Sequence, residues 1–226
     1  MTKESGFAIA IDGPMGVGKS TVAKMLAKIL NITYIDTGAM YRAVALYNKQ
    51  NGINLANPIE LEDSLPNINI DLHQVDGMQR VFLNGQDVTD LIRTQEISDA
   101  ASRLVAINEA VREKLVCQQR QMAKNGAVVM DGRDIGSHVL PWAQVKIYLD
   151  AAPEVRANRR LLELESKSQP VSFAQVLEET KIRDERDKNR PISPLIQAND
   201  AIYIDTACMA PEEVAAQIAA YVHSTM

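Results

Sequence analysis

Residues 13–20 read Gly-Pro-Met-Gly-Val-Gly-Lys-Ser and match G-x-x-x-x-G-K-[ST] at every position. Glycines at 13, 16 and 18 allow backbone conformations closed to other residues, so successive N–H groups can converge on a triphosphate. Lys19 then reaches the β- and γ-phosphates, and Ser20 can ligate Mg2+. The motif requires a strand before it and a helix after it. Phe7 to Asp12 is a short apolar run of strand type, and Thr21 to Leu30 has the apolar spacing of a helix. Gly13, Pro14, Met15, Gly16, Val17, Gly18, Lys19, Ser20 and Thr21 are therefore the expected ATP cradle.

The rest of the chain alternates strand and helix around this loop. Ile32 to Asp36 reads as a second strand, followed by a helical stretch from Ala39 to about Gln50. Ala127 to Met130, Val145 to Asp150 and Ala201 to Asp205 read as three further strands, and Pro211 opens a closing helix. The expected fold is α/β, a five-stranded parallel sheet wrapped by helices, with ligands at the carboxyl ends of the strands, where Gly13 and Thr37 share one crevice. Between residues 67 and 83 the pattern switches to short alternating strands with turns at Asp76-Gly77 and Asn84-Gly85, a small antiparallel excursion. Thr94 to Lys124 then reads as helix in two pieces meeting near Ile107-Asn108. A single domain is expected, with a core of residues 1–38, 125–157 and 191–226, a substrate-binding insert of about 39–124 and an arginine-rich helical lid of about 158–190.

At 226 residues the chain has room for one such core with an insertion. Its net charge of -5 argues against a nucleic-acid partner, and the first residues lack the apolar segment of a signal peptide. No apolar run is long enough to span a bilayer, so a cytoplasmic monomer without membrane association is expected. Cys117 and Cys208 are too few for a disulfide framework and are expected to be buried or idle thiols; His73, His138 and His223 are scattered.

Three constellations carry chemistry beyond the loop. The strand ending in Asp131 supplies a carboxylate able to hold Mg2+ directly or through water, with Arg133 and Asp134 facing outward on the next turn. Pro153 opens a helix carrying Arg156, Arg159 and Arg160. After a polar interval at 166–170, Ser172 caps a long helix ending in a dense charge run, in which Arg183, Arg186 and Arg190 fall on one helical face. Two arginine clusters flanking a polar loop have the layout of a lid over a triphosphate. Arg42, Arg112 and Arg133 add more guanidinium groups than one nucleotide needs, which points to a second phosphorylated substrate. Transfer between two phosphates needs no general base, which suits a chain with no convincing His or Lys base.

The loop, then Tyr34-Ile35-Asp36-Thr37-Gly38-Ala39-Met40-Tyr41-Arg42, Ile92-Arg93-Thr94-Gln95-Glu96, Asp131-Gly132-Arg133-Asp134-Ile135-Gly136 and Arg183-Asp184-Glu185-Arg186-Asp187 together resemble the bacterial cytidylate kinase family, in the same order and over nearly the full length. The resemblance implies transfer of the γ-phosphoryl group of ATP to CMP or dCMP with Mg2+. It implies that Ser102, Arg112 and Asp134 read the cytosine edge, that Arg42 and Arg133 hold the monophosphate, and that Thr37 and Tyr41 line its site. Arg183 and Asp187 would contact the sugar, while Arg186 and Arg190 serve the phosphates. Lys19, Arg133, Arg183, Arg186 and Asp131 would be catalytic, Arg159 would join the ATP-binding set, and Ser20 and Asp131 the metal site. A UMP kinase or a small-metabolite kinase of the shikimate type remains open, although the latter carries D-x-D where this chain has Asp36-Thr37-Gly38. A regulatory GTPase lacks its N-K-x-D and D-x-x-G here.

Overall fold

The computed structural model describes residues 6–75, 78–166 and 171–225. In chain order the elements are β1 (Ala8–Asp12), α1 (Lys19–Leu30), β2 (Thr33–Asp36), α2 (Thr37–Gln50), α3 (Pro58–Ser64), β3 (Ile70–Val75), β4 (Met78–Leu83), β5 (Gln86–Asp87), α4 (Gln95–Ala100) and α5 (Glu109–Lys124). These are followed by β6 (Val128–Gly132), β7 (Val145–Asp150), α6 (Pro153–Ser166), α7 (Phe173–Asn189), β8 (Ile202–Asp205) and α8 (Pro211–Thr225). The chain forms two compact units, one of residues 1–34 and 126–226 and one of residues 35–125.

The first unit is built on the expected five-stranded parallel sheet, in the order β2-β6-β1-β7-β8. Its three central strands, β6, β1 and β7, are buried on both faces, as parallel strands under helices must be; every residue of β1 is buried. On one face Ile9, Ile11, Val129, Ile147, Leu149 and Ile204 meet Val22, Ala23 and Leu26 of α1 and Val214, Ile218 and Val222 of α8. β1 and β7 pair in parallel beneath this packing, and β1 leads directly into the glycine loop. α6 and α7 form a hairpin with its own small core of Ala157, Leu164 and Val176. Ser172 opens α7 with a capping box, accepting from the Gln175 N–H while the Gln175 side chain accepts from the Ser172 N–H. The polar interval read at 166–170 lies, from residue 167, outside the described residues.

In the second unit β3 and β4 pair antiparallel with Ile70 opposite Leu83, and β4 continues into β5. Asn84 and Gly85 both take positive φ (50° and 81°), as a tight Asn-Gly hairpin turn demands. The turn read at Asp76-Gly77 lies outside the described residues. Gln79, Val81 and Leu83 alternate inward, and the last two join Met40, Ala43, Val44, Leu61, Ile92, Ile97, Val111 and Leu115 in a separate apolar core. The helical stretch from residue 94 divides as expected: α4 runs on through a wide π-type turn to Val105, and Asn108 caps α5 by accepting from the Val111 N–H. α3 is an addition to the expected elements; Asn57 at its N-cap and Pro58 at its first position are the start signals that mark it.

Cys117 and Cys208 are both exposed, so of the two alternatives expected for them, buried or idle, burial does not hold. No helix among the described residues is long and apolar enough to cross a membrane.

Gly13 tests how tightly the sheet holds the loop. Its φ is +149°, and a Cβ there would sit 2.1 Å from the Leu149 carbonyl oxygen, a backbone atom of β7 that cannot swing aside. Gly13→Ala is expected to cost about 3 kcal/mol through overpacking and backbone strain, read as a lower midpoint in urea denaturation at unchanged slope.

Candidate active site

The loop after β1 closes on itself around Lys19. Gly16 and Gly18 take φ of +77° and +96°, which lets the chain turn its amides inward before α1 begins. Gly18 is the N-cap and has no side chain to cap with, so the first-turn N–H groups of α1 are left to a ligand, at the positive end of the helix dipole. Lys19 is buried and donates from Nζ to the Pro14 carbonyl at 2.6 Å. Burial and the neighbouring Arg133 push its ammonium well below the usual lysine range, against the pull of Asp131, Asp187 and Asp12. An arriving polyanion would restore the charge that burial opposes.

Asp131, at the carboxyl end of β6, faces two hydroxyl donors. Ser20 Oγ donates to its Oδ2 and Tyr34 Oη to its Oδ1, each at 2.8 Å. Ser20 and Asp131 thus present adjoining hard oxygen donors, the set that Mg2+ takes while keeping several waters. Asp12, the last residue of β1, aims its carboxyl at the turn after Asp134: Oδ1 accepts from the Ile135 N–H at 2.8 Å and Oδ2 from the Gly136 N–H at 2.7 Å. Burial pushes the Asp12 pKa up to about 7 despite these two bonds, with Asp134 adding to the rise and Lys19 opposing it.

The arginines sit differently from their sequence reading. Arg133 and Asp134 turn inward: Arg133 Nε donates to Asp187 Oδ2 at 2.7 Å and Arg190 Nη2 to Asp134 Oδ1 at 2.9 Å. Acid and base arriving from the end of α7 make burial affordable for both. Burial alone would raise the Asp187 carboxyl, but Arg133, Arg183 and Arg190 hold it below the ordinary carboxylate range. Arg190 is not on the helical face shared by Arg183 and Arg186, because α7 ends at Asn189 and Arg190 is extended (φ -62°, ψ 141°). The cause is Pro191, whose ring disfavours helical geometry in the preceding residue. Arg159 donates to the Thr206 carbonyl at 2.6 Å and to its hydroxyl at 3.1 Å, and Thr206 Oγ1 in turn lies 3.3 Å from the Val17 carbonyl of the loop.

The remaining sequence-derived candidates belong to the second unit. Asp36 caps α2 by accepting from the Ala39 N–H and holds Arg42 Nη2 at 2.9 Å. Thr37 is buried in the first turn of α2, and the Arg112 guanidinium lies 5.8 Å from the centre of the Tyr41 ring. Ser102 lies in the wide turn following α4. Three residues that the motif reading did not single out now stand beside the loop. Asp12 is signalled only by its place at a strand end before the glycines, Tyr34 by a polar tip on a buried position of a short strand, and Thr206 by nothing local.

A family model for cytidylate kinase matches residues 9–224. The chain is 50% identical over 206 residues to a cytidylate kinase of Caldicellulosiruptor bescii, covering 91% of each chain. It is 47% identical over 211 residues to a cytidylate kinase of Bacillus cereus strain B4264, covering 93% of each. Among solved structures, an uncharacterized protein from Eubacterium ventriosum ATCC 27560 is similar in fold, with a TM-score of 0.52 and 15% identity over 96% of this chain and 98% of that one.

Asp12 makes the stability of this region depend on pH. Its folded pKa lies above the ordinary 3.8, so the folded state holds the proton more tightly than the unfolded chain. The stability it contributes is complete below about pH 4 and is lost as pH rises toward 7. Asp12→Asn does not titrate there, so the stability advantage of the natural chain over Asp12→Asn should shrink from pH 4.5 to pH 7 and level off above, as read by urea denaturation across that range. A constant difference would place the carboxyl pKa outside that window.

Proposed function

The chain belongs to the cytidylate kinase family, and from that premise we propose that it transfers the γ-phosphoryl group of ATP to CMP and dCMP, with Mg2+. The observation that carries the reading is the arrangement at the end of β1 and β6. A glycine loop opens an uncapped helix N-terminus, a buried lysine lies inside it, and a serine–carboxylate pair stands beside it.

In this reading the loop amides and Lys19 bind the β- and γ-phosphates, and Arg159, anchored on Thr206, serves the same nucleotide. Ser20 and Asp131 would hold Mg2+, which would supply positive charge to offset that of the phosphates, and Tyr34 would keep Asp131 turned toward Ser20. Catalysis is then alignment and charge stabilisation, because the attacking phosphate oxygen of CMP is already anionic. Arg133, Arg183 and Arg186 supply positive charge for the transferring group. In the second unit Arg42 would hold the monophosphate, with Thr37 and Tyr41 around it and Ser102 and Arg112 toward the base. Asp134 would accept from the exocyclic amine of cytosine, a contact that uracil replaces with an opposing carbonyl. Asp187 and Arg183 would meet the sugar and Arg190 the phosphates.

A coupled ADP-release assay over CMP, dCMP, UMP, AMP and shikimate tests the assignment. Turnover is expected with CMP and dCMP, and UMP is expected to be at least about 100-fold poorer in kcat/KM. Equal use of UMP and CMP would remove the cytosine reading, and turnover of shikimate would replace the family's acceptor class.

Asp134→Ala separates base recognition from nucleotide donation. Its KM for CMP should rise by about tenfold or more while that for ATP stays within about twofold. Arg190 also loses its buried partner, so the variant should be less stable by roughly 3 kcal/mol. An equal rise in both KM values would take Asp134 out of the base site.

A further inference from the structure

We propose that the buried ion pair between Arg156 and Asp184 is a positioning element for phosphoryl transfer, fixing α7 in register with the phosphate loop; the proposal rests on the kinase reading above. Arg156, in the first turn of α6, spends its guanidinium on three segments. Nε donates to the Ala151 carbonyl at 2.8 Å, just past the end of β7. Nη1 donates to the Met15 carbonyl in the loop at 3.1 Å and to Asp184 Oδ1 at 2.9 Å, and Nη2 donates to Asp184 Oδ2. Both side chains are almost fully buried, at 3% and 8% exposed. Every nitrogen of Arg156 is thereby engaged within the protein, in contrast to its sequence reading as part of a lid cluster.

The loop is shaped to receive this arginine. A Cβ at Gly16 would lie 3.3 Å from both the Cβ and the carbonyl oxygen of Arg156, tighter than most packed contacts, so the glycine lets α6 approach. From Asp184 the consequences run along α7. Arg183 is its neighbour, Arg186 follows two residues on, and Asp187 lies one turn away, bonded to Arg133. Arg133 lies in turn close enough to Lys19 to depress its pKa. The fork between Arg156 and Asp184 therefore closes a ring: loop, α6, α7, Arg133 and back to Lys19.

A bidentate arginine–carboxylate pair fixes both distance and angle, which a lysine or an apolar contact does not. Stability alone does not explain it, since well-packed apolar residues often replace a buried pair without loss. What such a replacement removes is register, and transfer is sensitive to misplacements of about 1 Å.

The test uses Arg156→Lys, Asp184→Asn and the apolar double variant Arg156→Met/Asp184→Leu, alongside the natural chain in the CMP assay. Thermal midpoints and KM values for ATP and CMP are measured for each. The expected result is a fall in kcat of about tenfold or more in all three, with KM for CMP within about twofold and the double variant keeping its thermal midpoint within a few degrees. A double variant with a natural midpoint and natural kcat would overturn the proposal. So would single variants whose midpoints fall while kcat at a permissive temperature does not, since that is the signature of a purely structural tie. If the double variant does not fold, Asp184→Asn, which keeps shape and one hydrogen bond, decides alone on the same criterion. Failure of the natural chain to phosphorylate CMP would be the failure of the kinase reading instead, and is seen separately in the same experiment.

Discussion

Lys19 places its amine where water scarcely reaches, and the charged groups around it set how far it can hold a proton there. Arg133 adds a second buried positive group close by, and the two oppose each other. Asp131, Asp187 and Asp12 supply the compensation, from β6, α7 and β1 respectively. Each stands at or just beyond the carboxyl end of a strand or near the end of a helix, so no single element could carry the cluster. The parallel sheet matters for this reason: it brings the ends of β1 and β6 side by side, with Asp12 opposite Gly132 and Ile11 opposite Asp131 in register. A shift by one residue would exchange the faces on which these carboxylates lie.

Much of the fold was legible because its determinants are local. Five apolar runs bounded by polar or glycine turns became five strands, and Asn84-Gly85 announced the hairpin by its need for positive φ. The break at Asn108 was legible because Asn caps a helix from its own side chain. α3 is short, its apolar residues are few, and Ile59 is largely exposed, so periodicity alone gives no signal for it. The wide turn at Ala101–Val105 has no sequence mark at all; it reads as continued helix, and in the structure it packs against α2.

Within the site, the residues with a backbone role were the easiest to find. Glycines at 13, 16 and 18 follow from the conformation the loop requires, and Leu149 and Arg156 explain why two of them must lack a side chain. Residues that act through a distant partner were harder. Tyr34 meets Asp131 across 97 positions of chain, and Thr206 meets Val17 across 189. No periodicity or spacing rule connects such pairs, because sheet order brings them together. The helix boundary at Arg190 was a different kind of miss: the information was present in Pro191, and the regular spacing of the arginines outweighed it.

The arginines show most clearly what a count cannot decide. Their number suggests anions to face, yet Arg133, Arg190, Arg156 and Arg42 each face an aspartate of this chain, at Asp187, Asp134, Asp184 and Asp36. An internal acid for these four means that the number of arginines alone does not demand a second phosphorylated molecule; the acceptor rests on family membership and on where the guanidinium groups lie. The pairing has its own physical logic. An arginine without a partner would pay desolvation in the empty protein or swing out into water, and binding would then have to reorder it. A carboxylate that takes one edge of the fork keeps the group charged and oriented while leaving other N–H donors available to a phosphate. Arg156 is the limiting case, because carbonyls and Asp184 engage all three of its nitrogens. Its surroundings assign it to holding the loop and α7 together.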